Sequence, residues 1–248
     1  MNISVVIITK NEAANISECI ESARQLSNDI VVVDSGSADE TVSIAMRNGA
    51  TIVAQRWDGF GNARNAGAKS AKHDWIFSLD ADERISSSLV ESIRRLEPED
   101  PSVIYGFKRQ SYLVSKKIRF GDWGRDRVYR IYRRDRTAWN LFPVHEALMT
   151  GEHTRKRIIR GNLEHYITKS IDRNREKMIR YAKLCASKYC LLGRKASVIK
   201  MFLSPVFSFL SGYIFRFGFL DGREGFDIAR SAAYYTWLKY YYLQMLSH

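Results

Sequence analysis

Short apolar segments alternate with segments of helical periodicity over the first hundred residues of the chain. Residues 3–9 and 30–34 are continuous runs rich in valine and isoleucine, which is typical of strands buried on both faces of a sheet. The same patterns predict strands over 51–54 and 75–79 and helices over 16–26, up to Arg47, over 62–72 and over 86–96. This alternation predicts an α/β fold with a mostly parallel sheet and helices on both of its faces.

Polar side chains follow three of these predicted strands, at the point where each strand ends. Ligands bind outside the carboxyl ends of the strands in open sheets of this kind. No GxGxxG or GxxxxGK[ST] loop follows the first strand, which argues against a dinucleotide-binding enzyme or a P-loop NTPase. The strand-end residues are Thr9, Asn11, Glu12, Asp34, Asp80 and Asp82.

The segment Asp80-Ala81-Asp82-Glu83 comes directly after a buried strand. Two carboxylates at this spacing are suited to one hard cation, Mg²⁺ or Mn²⁺, with water or phosphate oxygens completing its shell. Such a cation neutralises charge on a departing phosphate. The alternative is that Asp80 and Asp82 only cap the next helix, where acidic residues are favoured.

Charge divides the chain into two halves. The net charge is +12, but residues 1–100 hold 10 basic and 16 acidic residues, whereas residues 101–248 hold 29 basic and 11 acidic ones. The basic half indicates nucleic acid, an anionic membrane or a phosphorylated substrate as a partner. The three cysteines form no CxxC pair, so a disulfide framework or a zinc ribbon is not expected. We expect the protein to reside in a reducing compartment. The first residues lack the basic start of a secretory signal.

The second half is rich in arginine and aromatic residues. Residues 103–150 predict strands and loops, and residues 171–192 predict a basic helix. Residues 201–215 are uncharged, but Pro205 and Gly212 interrupt them and a bilayer needs roughly 20 residues. We therefore expect an interfacial or re-entrant segment, or a packed hairpin. An ordinary core helix is the alternative. The residues that would meet anionic headgroups are Arg194, Lys195, Lys200, Arg216 and Arg223.

Four motifs stand in the order and spacing of a known family. They are Thr9-Lys10-Asn11-Glu12, Asp34 to Thr41 (DSGSADET), Arg64-Asn65-Ala66-Gly67 and Leu79 to Glu83 (LDADE). In these the chain resembles family 2 glycosyltransferases, which have a Rossmann-like GT-A fold and transfer a sugar from a nucleotide donor with inversion. The resemblance implies that Thr9, Asn11, Glu12, Asp34 and Arg64 line the nucleotide pocket, that Asp80 faces the ribose or sugar, and that Asp82 binds the metal. Ser35 stands where many relatives have a second acid, which leaves the nucleoside open.

An inverting transfer needs one general base on the acceptor side. Since the resemblance assigns Asp80 and Asp82 to the donor, the base must come later, and we expect Glu146, with His145 beside it. Asp122 and Asp126 are weaker candidates, and Glu146 could instead only pair with an arginine. His165 is expected near the metal or diphosphate, or else is a structural histidine. Arg127 and Arg130, with His145, are expected to bind the acceptor or phosphate. The alternative for Arg64 is a solvated charge on a helix. The alternative for Asn65 to Gly67 is close packing of the helix against the sheet.

The segment around His145 and Glu146 and the tail segment Phe219 to Phe226 (FLDGREGF) also resemble lipopolysaccharide inner-core β-1,4-glucosyltransferases. This implies a hexosyltransferase that moves glucose from UDP-glucose onto an inner-core heptose, with Mg²⁺ or Mn²⁺. We predict a catalytic domain over 1–165 (1–100 for the donor, 101–165 for the acceptor) and a helical extension over 166–248. The partners would be the nucleotide sugar, a lipid-linked acidic glycan and the inner face of the cytoplasmic membrane.

Two other functions remain open from the sequence. One is a transferase with a polyprenyl-phosphate or capsule acceptor. The other, suggested by charge alone, is a nucleic-acid-binding protein, but no RRM, KH, helix-turn-helix or zinc pattern accompanies the basic residues. No nucleic-acid partner is therefore expected.

Overall fold

The computed structural model describes residues 1–97, 100–142, 146–167 and 175–246, with side chains from residue 178 in the last range. Strands β1 to β9 are Ile3–Thr9, Ile30–Asp34, Thr51–Ala54, Trp75–Asp80, Glu83–Ile85, Val103–Leu113, Lys116–Lys117, Arg127–Arg133 and Arg155–Ile167. Helices α1 to α7 are Ile16–Arg24, Thr41–Arg47, Phe60–Ser70, Ser87–Arg94, Arg175–Leu191, Val198–Leu210 and Gly222–Leu246. A π-helical turn, Ser211–Phe215, continues α6, and 3-10 turns lie at Trp123–Arg125 and Gly218–Asp221.

The strands of the described residues form one mixed sheet in the order β3-β2-β1-β4-β8-β6-β9-β5, with β7 paired to β6. Strands β3, β2, β1 and β4 are parallel to one another, as the apolar runs predict. Strand β8 is antiparallel to β4, β6 is antiparallel to β8, and β5 is antiparallel to β9. The antiparallel part therefore comes mainly from the residues after 100.

Two hydrophobic cores lie on opposite faces of the sheet. Val5 and Ile7 of β1 belong to one core, with side chains from α1, α2 and α4. Val6 and Ile8 belong to the other, with side chains from α3. This alternation follows from the two-residue period of a strand. The predicted α/β fold class, with helices on both faces, is confirmed.

A short strand separates the acidic segment from the next helix. Strand β5 begins at Glu83, and α4 is capped by Ser86, whose hydroxyl accepts a hydrogen bond from the Leu89 backbone N–H at 3.3 Å. Asp80 and Asp82 therefore do not cap this helix. That alternative is wrong, because β5 stands between the acidic segment and the helix.

The chain divides into two compact units. Unit 1 comprises residues 1–109 and 127–165, and unit 2 comprises residues 110–126 and 166–248. Unit 1 contains the parallel strands, both cores on the sheet and helices α1 to α4. The predicted subdivision of the catalytic domain at residue 100 stays a prediction.

Unit 2 consists of three long helices and the segment 110–126. Helix α7 packs against both α5 and α6. The buried carboxylate of Asp221 accepts hydrogen bonds from the backbone N–H groups of Arg119 at 3.0 Å and Phe120 at 2.8 Å. Lys116 donates to the Asp221 carbonyl at 2.7 Å and pairs with Glu224 at 2.6 Å. These bonds fix the short segment to the start of α7.

Helix α6 and the π-helical turn form a continuous apolar stretch. In the part of the chain that the structure describes, this stretch, Val198–Phe215, is the one helix whose length and composition would allow it to cross a membrane. It is longer than the uncharged segment 201–215 that the sequence indicated.

Candidate active site

The ends of β1 and β2 lie side by side at one edge of the sheet. Thr9 pairs in register with Asp34, and Ser35 donates its backbone N–H to the Thr9 carbonyl at 3.1 Å. The Asp34 carboxylate accepts the backbone N–H groups of Gly36 and Ser37, both at 3.0 Å, and also the Ser37 hydroxyl. The carboxylate thus shapes its own loop, which is the usual behaviour of aspartate in a turn.

The loop after β1 is bound to the loop after β2. Asn11 has a φ of 55°, donates its backbone N–H to the Ser37 hydroxyl at 2.9 Å and accepts from Ala38 N–H at 2.8 Å. Glu12 donates its backbone N–H to the Thr41 hydroxyl at 2.8 Å. Four residues predicted to line the nucleotide pocket therefore lie on one rim at these two strand ends: Thr9, Asn11, Glu12 and Asp34. The Thr9 hydroxyl is buried and has no hydrogen-bond partner within the described residues.

Asp80, at the end of β4, is held between two arginines. Arg64 Nη2 lies 2.6 Å from one carboxylate oxygen, and Arg130 Nη2 lies 3.1 Å from the other. Burial acts to raise the pKa of Asp80, but the two guanidinium groups outweigh it and hold the pKa well below its usual range. Asp80 is therefore an anion at neutral pH.

A second carboxylate, Glu83, lies beneath Asp80 and is fully buried. One of its oxygens accepts the Asp80 backbone N–H at 3.0 Å, and the other lies 3.4 Å from Arg109 and 3.7 Å from Arg130. Burial, and then the charge of Asp80, raise the pKa of Glu83. The sequence pattern drew attention to Asp80 and Asp82 and gave Glu83 no role.

Arg64 is the most deeply buried cation of this site, with 1% of its side chain exposed. The Nη2 atom that meets Asp80 also lies 3.3 Å from Glu146 Oε1. The guanidinium lies over the Trp139 ring, 4.7 Å from its centroid. Its Nε and Nη1 atoms have no hydrogen-bond partner among the described residues. The solvated-charge alternative for Arg64 is therefore wrong.

Trp139 is itself fixed by the neighbours of Arg64. Asn65 exchanges two hydrogen bonds with the Trp139 backbone, both at 2.9 Å, and the Trp139 indole donates to the Tyr132 hydroxyl at 3.1 Å. Gly67 packs against the sheet, where an added Cβ would lie 2.3 Å from Val6. Gly67 therefore has the packing role given as the alternative, whereas Asn65 holds the Trp139 backbone. Sequence reasoning missed Trp139 because only the fold brings it to α3.

Asp82, which directly precedes β5, contacts His165 of β9 where these two strands pair. Asp82 Oδ2 lies 3.3 Å from His165 Nε2, and both side chains are partly exposed. Burial acts to lower the pKa of His165, but the charge of Asp82 outweighs it and raises the pKa. No cluster of three or more His, Cys, Asp or Glu side chains suited to a metal occurs among the described residues. A cation bound here would therefore need ligand or water oxygens besides this pair.

The remaining predicted residues differ in their placement. Arg127 is exposed on β8, whereas Arg130 is buried and contacts Asp80 and Glu83. His145 lies outside the described residues, and Asp122 and Asp126 belong to unit 2. Glu146 does pair with an arginine, but that arginine is Arg64, which also holds Asp80. The structure thus brings Arg64, Asp80 and Glu146 together. Asp82, which contacts His165, follows Asp80 closely in the sequence.

Comparisons with known proteins bear on the family and the fold of the chain. The family model described as glycosyl transferase family 2 matches residues 4–160. An uncharacterized glycosyltransferase of Rickettsia bellii is 27% identical over 99% of this chain and 87% of its own length. The lipopolysaccharide core biosynthesis glycosyltransferase LpsC of Rhizobium meliloti is 29% identical over 95% of this chain and 89% of its own length.

One solved structure has a similar fold over nearly the whole chain. It is S. aureus TarS 1–349 in complex with UDP, which has a TM-score of 0.50 and 14% identity, over 99% of this chain and 90% of that one. At this identity the likeness concerns the fold alone. The Rossmann-like GT-A fold predicted from the four motifs is confirmed by the family match, and its helical extension is present as α5 to α7.

Proposed function

Because the chain belongs to glycosyl transferase family 2, we propose that it is an inverting, metal-dependent hexosyltransferase that carries glucose from UDP-glucose onto the inner core of lipopolysaccharide. The observation that carries the proposal is the buried Arg64, which joins Asp80 at the donor edge of the sheet to Glu146. One nitrogen serves both carboxylates, so the predicted base lies within a few ångströms of the predicted donor site.

In the proposed reaction Glu146 acts as general base. It takes the proton of an acceptor hydroxyl while that oxygen attacks the anomeric carbon of the donor. The bond between the anomeric carbon and the diphosphate oxygen breaks, and the diphosphate leaves from the opposite face. Side-chain general bases typically contribute 10²–10⁴-fold to such a step. Arg64, whose Nη2 lies 3.3 Å from Glu146 Oε1, would orient that carboxylate.

Asp82 and His165 would hold the divalent cation. A carboxylate oxygen and an imidazole nitrogen 3.3 Å apart suit one ion, and Mn²⁺ accepts both donor types more readily than Mg²⁺ does. When bound, the cation would neutralise charge on the departing diphosphate. Asp80, held ionised by Arg64 and Arg130, would accept hydrogen bonds from the ribose or sugar hydroxyls, and the rim formed by Thr9, Asn11, Glu12 and Asp34 would hold the nucleoside.

The acceptor is assigned on two grounds. LpsC, which resembles this chain over nearly its full length, is named for lipopolysaccharide core biosynthesis. The basic half of the chain also suits a phosphorylated glycan carried on lipid at the inner face of the cytoplasmic membrane. Arg127, exposed on β8, and His145 would bind acceptor phosphates. A polyprenyl-phosphate or capsule acceptor is the second candidate.

Transfer from UDP-glucose to truncated core oligosaccharide tests the proposal directly. Glu146→Gln should keep donor binding, measured by thermal shift with Mn²⁺, and lose at least a hundredfold in transfer rate. Glu152→Gln, an exposed change in the same loop, is the matched control and should leave the rate unchanged. Normal turnover by Glu146→Gln would move the base to another residue.

The metal site is tested with a separate variant. Asp82→Ala should abolish the stabilisation by donor that depends on Mn²⁺, whereas Glu91→Gln on the surface of α4 should retain it. Unchanged metal-dependent binding by Asp82→Ala would contradict the assignment. Transfer onto a lipid extract, with no transfer onto core oligosaccharide, would favour the second acceptor class.

A further inference from the structure

We propose that α6 and the turn after it form a docking surface that enters one leaflet of an anionic membrane without crossing it. The docking surface comprises the outward apolar side chains of residues 198–220. This deepens the membrane location proposed above and names its partner, an anionic phospholipid leaflet. It does not depend on the chemistry of transfer, because every contact that carries it lies within unit 2.

A continuous apolar stripe runs along α6. Ile199, Phe202, Leu203, Val206 and Phe207 recur at three- and four-residue spacing, which places them on one face of the helix. Ile199 is 69% exposed and Phe207 is 67% exposed. Only 6% of the stretch Val198–Phe215 is buried. A core helix would be mostly buried, so the structure contradicts that alternative, and an apolar surface of this extent needs a partner.

The turn after α6 extends the stripe with exposed aromatic side chains. Phe215, Phe217, Phe219 and Leu220 are all exposed. Phe217 has a φ of 59°, a left-handed conformation that is rare for a bulky residue and persists only where the surrounding structure fixes it.

Glycines fix this turn against its neighbours. A Cβ on Gly218 would lie 2.6 Å from the Gly212 carbonyl oxygen, and one on Gly225 would lie 1.8 Å from the Gly218 carbonyl oxygen. The backbones of the π-helical turn, the 3-10 turn and α7 are therefore in direct contact. The aromatic tip is held outward by a packed backbone, so it is a preformed surface.

The charge of this region indicates which partner covers the surface. Residues 177–220 contain eight lysines and arginines and no acidic residue. Arg194 and Lys195, just before α6, and Lys200, in its first turn, are exposed. Anionic headgroups complement these charges while the stripe enters the acyl region. A second copy of the chain would instead bring like charges together, which opposes self-association through the same surface.

Helix α7 explains why α6 would not cross the bilayer. It packs along α6, with Phe226 and Phe209 ring centroids 5.8 Å apart. It also carries Asp227 and Arg230, and Arg230 is 61% exposed. A crossing α6 would draw these charges into hydrocarbon, which is costly. The 18 residues also span only about 27 Å, less than the roughly 30 Å core.

Vesicle flotation with the purified full-length chain tests the proposal without donor or acceptor. The vesicles are phosphatidylcholine alone or phosphatidylcholine mixed with phosphatidylglycerol. The chain should float with the anionic vesicles and bind the neutral ones more weakly. Phe202→Ser combined with Phe207→Ser should weaken binding roughly a hundredfold, about tenfold for each aromatic side chain. Lys195→Glu combined with Lys200→Glu should weaken binding to anionic vesicles by about fivefold or more for each lysine.

The control replaces an exposed apolar residue of unit 1. Met46→Ser, on α2, should bind as the native chain does, because Met46 is 58% exposed but lies outside the docking surface. Circular dichroism and thermal unfolding of each variant establish that it is folded. Binding of the doubly substituted Phe202 and Phe207 variant at native strength would overturn the proposal, as would failure of the native chain to float.

Insertion depth distinguishes one leaflet from two. Phe207→Trp should be quenched more by lipids brominated near the headgroup than by lipids brominated at the chain ends, and the reverse order would overturn the one-leaflet arrangement. A native dimer that the paired serine substitutions abolish, together with no flotation, would assign the surface to a second copy. A chain that floats but transfers no sugar would contradict only the proposed function, and a chain that transfers sugar but does not float would contradict only this inference.

Discussion

Arg64 is a buried cation that two carboxylates and an aromatic ring share. Burial acts to lower the pKa of Arg64, but Asp80 and then Glu146 outweigh it and raise the pKa, so the group stays charged. Taking a charge out of water costs several kcal/mol, which its partners must offset. Without the Arg64 guanidinium, the carboxylates of Asp80 and Glu146 would lie close together with less positive charge beside them.

Arg64→Met should therefore destabilise the protein by about 3–5 kcal/mol, the cost of breaking a buried ion pair from one side. Urea unfolding followed by tryptophan fluorescence measures this change. Arg95→Met removes an arginine that is 82% exposed and should shift stability by less than about 0.5 kcal/mol. Equal effects of the two substitutions would mean that the buried network contributes nothing to the fold.

The hydroxyl of Tyr132 gives a second prediction at this scale. Burial raises the pKa of Tyr132 from 10.0 to about 12. Because the folded state holds this proton more tightly, its stabilising contribution is complete below pH 10 and is lost as the pH rises through about 12. Tyr132→Phe should cost about 1–3 kcal/mol at pH 8, since the Trp139 N–H loses its acceptor.

That cost should shrink between pH 10 and pH 12, because the variant has no proton to lose at this position. Urea midpoints across this range provide the measurement. Tyr129→Phe, on the same strand, serves as the matched control for loss of a tyrosine hydroxyl. A constant difference between Tyr132→Phe and the native chain at all pH values would contradict the prediction.

The sequence drew attention to Arg64, Asp80 and Glu146 because each lies in a recognisable motif, Arg64 within α3 and Asp80 at the end of β4. It did not identify Trp139 or Arg109, which reach the site from distant strands and loops. Glu83 was visible in the motif, but its burial beneath Asp80 depends on β5 pairing with β9, where Glu83 lies opposite His165. Contacts between residues so far apart along the chain leave no local pattern.

At the scale of elements, α3 carries Arg64 and Asn65 to the sheet, and a single glycine sets how closely it approaches. A Cβ on Gly67 would lie 2.3 Å from Val6 Cγ1 and 2.7 Å from Val33 Cγ2. The helix therefore packs directly on the side chains of β1 and β2. Its distance from the sheet determines where the Arg64 guanidinium meets Asp80.

Gly67→Ala should destabilise the protein by about 1–3 kcal/mol through overpacking, although alanine has the better helix propensity. The thermal unfolding midpoint should fall, and adding Val6→Ala should restore part of the loss by making room for the methyl group. Gly151→Ala, where an added Cβ meets nothing within 4 Å, should be nearly neutral. Full stability of Gly67→Ala alone would show that α3 can shift without cost.

The strand predictions agree with the structure for β1 to β4, whereas β5 was missed and β9 was given no bounds. All residues of β1 and β2 are buried, so their apolar runs identify them without knowledge of the fold. Strand β5 has three residues, and β9 has a largely exposed first half. Such strands form because they pair with neighbouring strands, and the hydrophobic pattern of the sequence does not specify these partners.

At the scale of the whole molecule, the acidic and basic halves supply different kinds of charged side chain. The acidic half supplies Asp80, Asp82 and Glu83, and the basic half supplies most of the 39 lysines and arginines. If that excess attracts a phosphorylated acceptor, recognition should depend on ionic strength, because exposed charges are screened at physiological salt.

Arg127→Ala should raise KM for phosphorylated core oligosaccharide up to about fivefold, the range for an exposed ion pair, and leave kcat unchanged. The effect should vanish with acceptor treated with phosphatase and should shrink as salt is added. Arg47→Ala, at the exposed end of α2, should not change KM. A loss that persists with the dephosphorylated acceptor would assign Arg127 a different role.

The two stretches that make up unit 2 limit how this protein can be divided or recombined. Residues 110–126 lie inside the catalytic sequence, yet Arg119 and Phe120 bind Asp221, and Leu113 and Ile118 form a buried cluster with Ile228. A chain cut after residue 165 would expose Leu113 and Ile118. It would also leave the backbone N–H groups of Arg119 and Phe120 without the Asp221 carboxylate as acceptor. Exchange of the C-terminal helices between relatives, by evolution or by engineering, would therefore have to carry residues 110–126 with them.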